Sequence, residues 1–320
     1  MVNKNRFMAI DTYAINLFFL FLLPKTEKIM SSIYYRFIRG KFVIVGKEPD
    51  GDSVRFVADK PDFYRELYRS YRIKPSRNDG SVQLRLEAID APETHYGKFA
   101  QPLGKEARDR FLQWIGFTDI QYKGDRVTDS NPKTVSGAIL TKAADVNGRP
   151  ISYLILEDAN FDDGEWIKVD EQLLEKTANF YLLSQGTAYY TVYTSTPLLH
   201  RQFFRQTARK AEQQNLGVWE KDATSEFVLE EFEDIGPEGQ LILPKLFRRC
   251  IDYLKSQSEG FRGNLQDWLI GTSEMVSRNE NDRLLINDSW PELRLSDIIE
   301  QRNRRIVFTA DLLDITFLEK

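Results

Sequence analysis

Arg85-Leu-Glu-Ala-Ile-Asp90-Ala-Pro-Glu93 places one fixed cation and two carboxylates where a predicted strand ends. The strand reading comes from alternation: Val82, Leu84, Leu86 and Ala88 share one face, while Gln83, Arg85 and Glu87 share the other. Arg85 is thereby lifted off the apolar face. Working upstream, Lys41-Phe-Val-Ile-Val45 and Ser53-Val-Arg-Phe-Val57 read as strands joined by the turn-rich Glu48-Pro-Asp-Gly-Asp52. Downstream, Gly137-Ala-Ile-Leu-Thr141 and Ile151-Ser-Tyr-Leu-Ile-Leu156 flank Asp145-Val-Asn-Gly148, a strong hairpin-turn signal, with Arg149 directly after it. Ile120-Gln-Tyr122 is a further strand candidate.

The helical signals lie between and after these strands. Lys105 to Ile115 carries Ala107, Phe111, Trp114 and Ile115 on one stripe, with Gly116 as its stop. A helix is expected from Glu171 to Ser184 and another from His200 to Gln214. The stretch from Pro61 to Asn78, rich in Tyr and Arg, reads as a short inserted helix. Short strands with one helix among them, followed by helices, predict an α+β fold: a small closed barrel with helices packed against it. No strand-helix-strand alternation and no Gly-rich phosphate loop is present, which disfavours a Rossmann or P-loop reading.

Composition narrows the chemistry. The 320 residues carry a formal net charge of −4, which argues against a general nucleic-acid-coating protein and leaves room for a local basic cleft. A single cysteine, Cys250, forbids an intramolecular disulfide, and with two histidines a Cys- or His-rich metal site is implausible. Any metal should therefore be a hard cation on oxygen ligands. His95 and His200 read as surface or packing residues, Trp114 and Trp219 as core anchors. Asp50-Gly-Asp52 could instead merely shape a tight turn, and Arg149 could be an ordinary exposed residue after a hairpin.

The two ends of the chain are less informative. Residues 1–36 read as an N-terminal extension. Ala14 to Leu23 is an apolar run preceded by Lys4 and Arg6, too short to span a bilayer, which takes roughly 20 residues. Three readings stay open: a secretory signal or anchor, sequence upstream of a true start at Met30, or a helix of the fold. Localisation follows that choice: secreted or membrane-anchored with a real signal, cytoplasmic otherwise. After Trp219 an acidic linker, Glu226 to Gly239, leads to a smaller α+β accessory domain at 235–320, without a catalytic motif. There Leu241 to about Ile270 reads as helical, with Leu246, Cys250, Tyr253 and Leu254 on one stripe, and Ile306-Val-Phe-Thr and Ile315-Thr-Phe-Leu read as extended.

The ordered set Asp50-Gly-Asp-Ser-Val54, Arg85 to Glu93, Gln101-Pro-Leu-Gly-Lys-Glu-Ala107, Gly148-Arg-Pro-Ile-Ser-Tyr153, Leu183-Ser-Gln-Gly-Thr-Ala188 and Asn215-Leu-Gly-Val-Trp219 resembles the staphylococcal nuclease (thermonuclease) family over residues 37–222, within a domain expected at 37–224. The resemblance implies a five-stranded OB-fold barrel with packed helices. It also implies a Ca2+ site made by Asp52, Asp90 and the backbone carbonyl of Ala91, where the family often has Thr. Glu93 falls on the family's general base, and Arg85 and Arg149 on its phosphate-binding arginines. Lys98, Tyr190 and Tyr193 lie near its nucleotide contacts, though the register there does not transfer cleanly.

The expectation is a calcium-dependent endonuclease acting on DNA or RNA, preferring single strands, leaving 3′-phosphate ends and needing no obligate protein partner. The alternative is an OB-fold nucleic-acid-binding or scaffold protein that has lost catalysis.

Overall fold

In a computed structural model, residues 33–156, 160–275 and 282–319 are described. The readings placed on the N-terminal apolar run lie outside these residues. The frame of the fold is β1 (Tyr34–Val43), whose aromatic and β-branched residues suit a pleated, largely buried surface. Along one edge β1 pairs antiparallel with β8 (Thr134–Ala144). Along its other edge it meets β10 (Trp166–Lys168) and then β2 (Arg55–Ala58). Gly40 faces Gly137 across β1 and β8. A Cβ on Gly40 would lie 2.1 Å from the Val57 carbonyl, and one on Gly137 would lie 2.6 Å from the Phe42 ring, so the strands close here only because both side chains are missing.

The run 82–86 decides the closure. Its first part, β3 (Val82–Gln83), pairs antiparallel with β2, and its second, β4 (Arg85–Leu86), pairs parallel with β9 (Pro150–Ile155). Because one short run borders both ends of the path β2–β1–β8–β9, the seven-stranded sheet bends into a nearly closed barrel. The expected strand through Ala88 instead breaks at that residue, which takes φ 68°. The turn sends β5 (Ile89–Asp90) away from β9 to pair with β11 (Tyr189–Tyr190). The gap left beside β9 is filled by Asn179, whose buried amide donates to the Glu87 and Ser152 carbonyls and accepts from the Leu154 amide.

Helix α1 (Gly104–Ile115) forms where its stripe predicts and buries Ala107, Phe111, Leu112 and Ile115. It ends at Gly116, left-handed at φ 106°, whose N–H caps the Leu112 and Gln113 carbonyls. The hairpin of β6 (Thr118–Lys123) and β7 (Arg126–Asn131) follows; β7 carries no clean alternation and escapes sequence reading. The single helix expected over 171–184 is two, α2 (Glu171–Leu174) and α3 (Ala178–Ser184). Thr177 separates them by accepting the Phe180 amide as a new N-cap. Then β12 (Val192–Tyr193), α4 (Leu198–Gln213) and α5 (Val218–Lys221) complete this part.

The Tyr/Arg insert differs from its expectation as well. It forms two 3-10 turns, Pro61–Glu66 and Ser70–Arg72, split at a left-handed Arg69. Tyr64 and Leu67 are buried, and Tyr68 exchanges backbone hydrogen bonds with Lys142 and Ala144 on β8.

The acidic stretch expected as a linker is structured: β13 (Glu226–Val228) pairs with β17 (Arg305–Phe308). Next, α6 (Pro244–Ser258) and α7 (Leu265–Met275) replace one expected helical stretch, interrupted where Gly260 takes φ 110°. Strands β14 (Arg283–Ile286), β15 (Ser289–Arg294) and β16 (Ile299–Arg302) lead to β17 and the last strand, β18 (Ile315–Phe317). This last strand pairs parallel with β12, beside Tyr193. A second apolar core gathers Phe247, Ile251 and Ile306, and takes in Tyr189 and Val218 from the barrel side. Trp219 packs against both cores, which ties the C-terminal region to the barrel. Among the described residues no helix is long and apolar enough to cross a membrane.

Candidate active site

One cleft of about 410 Å³ brings together Asp52, Arg85, Asp90, Glu93, Arg149 and Tyr193. Each arrives from a different feature of the barrel. Asp52 ends the turn before β2. Gly51, just before it, makes the close approach required there: a Cβ would lie 2.6 Å from that of Ala91 and 3.1 Å from that of Ala107. Asp50 is spent on structure, since its Oδ1 accepts the Gly51 amide at 2.8 Å, the Thr94 amide at 3.2 Å and the Thr94 hydroxyl. That contact clamps the turn to the loop carrying Glu93. Gln101 holds the same loop: the Glu93 amide donates to its side-chain oxygen and its own amide donates to the Glu93 carbonyl.

The arginines are held from opposite sides. Arg85 donates to the Tyr193 hydroxyl at 3.1 Å and stacks its guanidinium 5.0 Å from that ring. Burial raises the Tyr193 hydroxyl, but Lys245 and Arg85 outweigh it and bring it down to about 8. Arg149 pairs with Asp145 through one oxygen, Nε and Nη2 each 2.8 Å from Oδ2. The other oxygen of Asp145 accepts the amides of Asn147 and Arg149, both at 2.9 Å, so one carboxylate shapes the hairpin turn and aims the arginine that follows.

The carboxylates crowd one another. Burial, then Asp90 and Asp50, push Asp52 up to about 7. Burial pushes Glu93 up to about 8 although Arg248 opposes it; Asp90, Asp50 and Asp52 add to the rise. Arg149 and Arg85 oppose the rise at Asp52 without cancelling it, and crowded oxygen donors of this kind are the chemistry a hard divalent cation relieves. Asp52, Asp90 and the Ala91 carbonyl therefore suit such an ion in kind. Among the described residues no set of three or more His, Cys, Asp or Glu side chains is gathered closely enough to hold a metal. Arg248 already engages both oxygens of Asp90, at 2.8 and 3.2 Å, and pairs with Glu93.

Arg248 lines the cleft and is not among the sequence candidates, nor are its neighbours Lys245 and Arg249, which line it too. With Lys245, Arg249 and Asp252, Arg248 forms a charged stripe of α6, beside the apolar face of Leu246, Cys250 and Tyr253. The stripe is legible in the sequence; its approach to Glu93 across 155 positions is not. The remaining nucleotide-contact candidates lie elsewhere. Tyr190 is 2% exposed in the barrel core and donates to the Arg201 carbonyl. Lys98 is exposed, its ammonium 5.3 Å from the Phe99 ring centre, and neither lines the cleft. The Tyr/Arg insert contributes no lining residue; it braces the turn before Arg149, with Arg72 donating to the Val146 carbonyl.

Residues 83–221 match a family model, that of the staphylococcal nuclease homologues. The match covers Arg85, Asp90, Glu93, Arg149 and Tyr193. Asp52 lies upstream of it and helix α6 downstream. No curated protein matches the chain.

Proposed function

We propose, from the staphylococcal nuclease homologue domain of residues 83–221, that the chain is a nuclease using calcium to hydrolyse phosphodiester bonds of DNA or RNA. The observation that carries this reading is the convergence of Arg85, Arg149 and Glu93 with Asp52 and Asp90 on one cleft. Asp52, Asp90 and the Ala91 carbonyl would hold the ion, which when bound supplies Lewis-acid neutralisation of the phosphate.

The other steps fall to the chain itself. Glu93, once ionised, takes a proton from the attacking water; its carboxyl is pushed up to about 8, so the base form gathers as the pH rises from neutral into the mildly alkaline range. Arg85 and Arg149 donate to the non-bridging oxygens as negative charge grows on them. Each contact is worth roughly 3 kcal/mol by analogy with oxyanion-hole donors. The water oxygen bonds to phosphorus, the bond from phosphorus to the 5′-oxygen breaks, and that oxygen leaves and takes up a proton. The products are a 3′-phosphate and a 5′-hydroxyl. Cleavage is endonucleolytic and favours single strands, whose backbone can enter the cleft without a second strand.

The test is incubation of the protein with denatured DNA and with RNA, in calcium and in excess chelator. Degradation in calcium alone, reduced by roughly 100-fold or more in Arg149→Ala, is expected. Retained binding without degradation under any condition would favour a nucleic-acid-binding protein instead.

A further inference from the structure

We infer that Arg248 is a third phosphate-binding arginine of this site, so that helix α6, outside the matched domain, forms one wall of the substrate cleft. The inference rests on the nuclease reading for the identity of the substrate, and on the geometry of α6 for the residue.

The position of Arg248 is built. Its helix is fixed from below by Leu246, Phe247, Cys250 and Ile251, all fully buried. On either side of it Lys245 and Arg249 pair with Asp282, at 3.5 Å and at 2.5 to 3.0 Å. The barrel holds the helix and the segment that leads into it through two long-range contacts. Gln101 donates to the Ile242 carbonyl at 2.7 Å, and the Tyr96 hydroxyl donates to Asp252 at 2.8 Å. Gln101 is also the residue that fixes the backbone of Glu93, so one side chain sets the distance between the base and the helix.

The charge is aimed at the reacting centre. Lys245 and Arg249 are occupied by Asp282, whereas Arg248 turns inward to Asp90 and Glu93. A water activated by Glu93 sits within roughly 3 Å of both that carboxylate and the phosphorus it attacks. A guanidinium in contact with Glu93 is therefore within reach of the oxygens on that phosphorus. The contacts to Asp90 and Glu93 use Nη1 and Nη2, which leaves Nε–H of the planar fork for a phosphate oxygen. Arg85 and Arg149 reach the cleft from the barrel and Arg248 reaches it from α6, so a bound phosphate is met by cations from both.

The test measures two things on the full chain. One is cleavage of single-stranded DNA in calcium. The other is binding of a cleavage-resistant phosphorothioate single strand across a salt series. Arg248→Ala should lower kcat/KM and affinity about 10- to 100-fold, as loss of a charged hydrogen bond does. It should also flatten the dependence of log affinity on log salt by about 0.7, the signature of one lost phosphate contact on a single strand. A residue that only supported the fold would leave that slope alone. Arg248→Lys keeps the charge and loses the fork, so it should keep the slope and lose kcat/KM; it carries the test if the alanine variant does not fold, and unchanged kcat/KM in it overturns the inference. Cleavage by the wild type that Arg248→Ala leaves unchanged or accelerates overturns the inference and leaves the nuclease reading standing. A wild type that binds but never cleaves, with affinity and slope reduced in Arg248→Ala, supports the inference and sinks the nuclease reading. A wild type that neither binds nor cleaves overturns both.

Discussion

Replacing Glu93 by glutamine should move activity and stability in opposite directions. The side chain of Glu93 is 12% exposed, and its carboxyl is pushed from 4.5 up to about 8 in the folded protein. Between those two values the unfolded chain has released its proton and the folded chain has kept it. Stability in the wild type is therefore fully present below about 4.5 and falls as pH rises toward 8. Each pH unit in that window costs up to about 1.4 kcal/mol, so at pH 7 the penalty is on the order of 3 kcal/mol. Glutamine has the same shape and no charge to bury. It should recover most of that penalty, less what is lost because Arg248 keeps Asp90 as its only carboxylate partner.

The expected result is an unfolding free energy raised by about 2 to 3 kcal/mol at pH 7, with a gain near zero at pH 4.5. Activity should fall by about 10² to 10⁴, the usual contribution of a general base. Urea unfolding from pH 4.5 to 8 in chelator, alongside cleavage of denatured DNA in calcium, reads both. A variant less stable at pH 7 than the wild type, or one with unchanged turnover, would refute the role assigned to burial and to the base.

Three further expectations follow from other parts of the molecule. Asp145→Asn keeps an acceptor for the turn amides but removes the charge that pairs with Arg149, and should lower kcat/KM by roughly 10-fold with little change in fold, checked by kinetics and circular dichroism. His200 is held down to about 4, chiefly by burial, while its ring bonds the Tyr153 hydroxyl and the Val169 carbonyl. Stability is present above about 6.5 and is lost as pH falls toward 4, by up to about 3 kcal/mol, and a His200→Gln variant should lose that slope in acid unfolding. Gly51→Ala forces a methyl against Ala91 and Ala107 and should cost about 1 to 3 kcal/mol, read as a lowered Tm with weakened activity.

Much of the barrel was legible because its signals are local. Alternation in 82–86, the stripe of α1 with Gly116 behind it, and the turn at Asp145 to Gly148 each depend on residues a few positions apart. The order of motifs pointed to a nuclease-like domain for the same reason. Arg85, Asp90 and Glu93 fall within one short run, and Asp52 and Arg149 stand at turns.

What escaped was set by contacts between distant residues. Ala88 reads as one more strand residue, yet pairing of Ile89 and Asp90 with Tyr189 and Tyr190 forces the chain to turn there. The acidic stretch at 226–228 reads as a linker because only β17, some 80 positions later, gives it a partner. Tyr190 and Tyr193 are three residues apart and look alike in sequence. One packs into the core and the other supports Arg85, because a two-residue strand pair and the last strand of the chain fix their opposite directions. The sequence by itself determined which residue types carry the chemistry, since charge, apolar period and turn propensity are properties of neighbours. Only the tertiary structure brought Arg248 to Asp90 and Glu93, because burial and long-range packing place a helix on a cleft, and no local pattern encodes that distance.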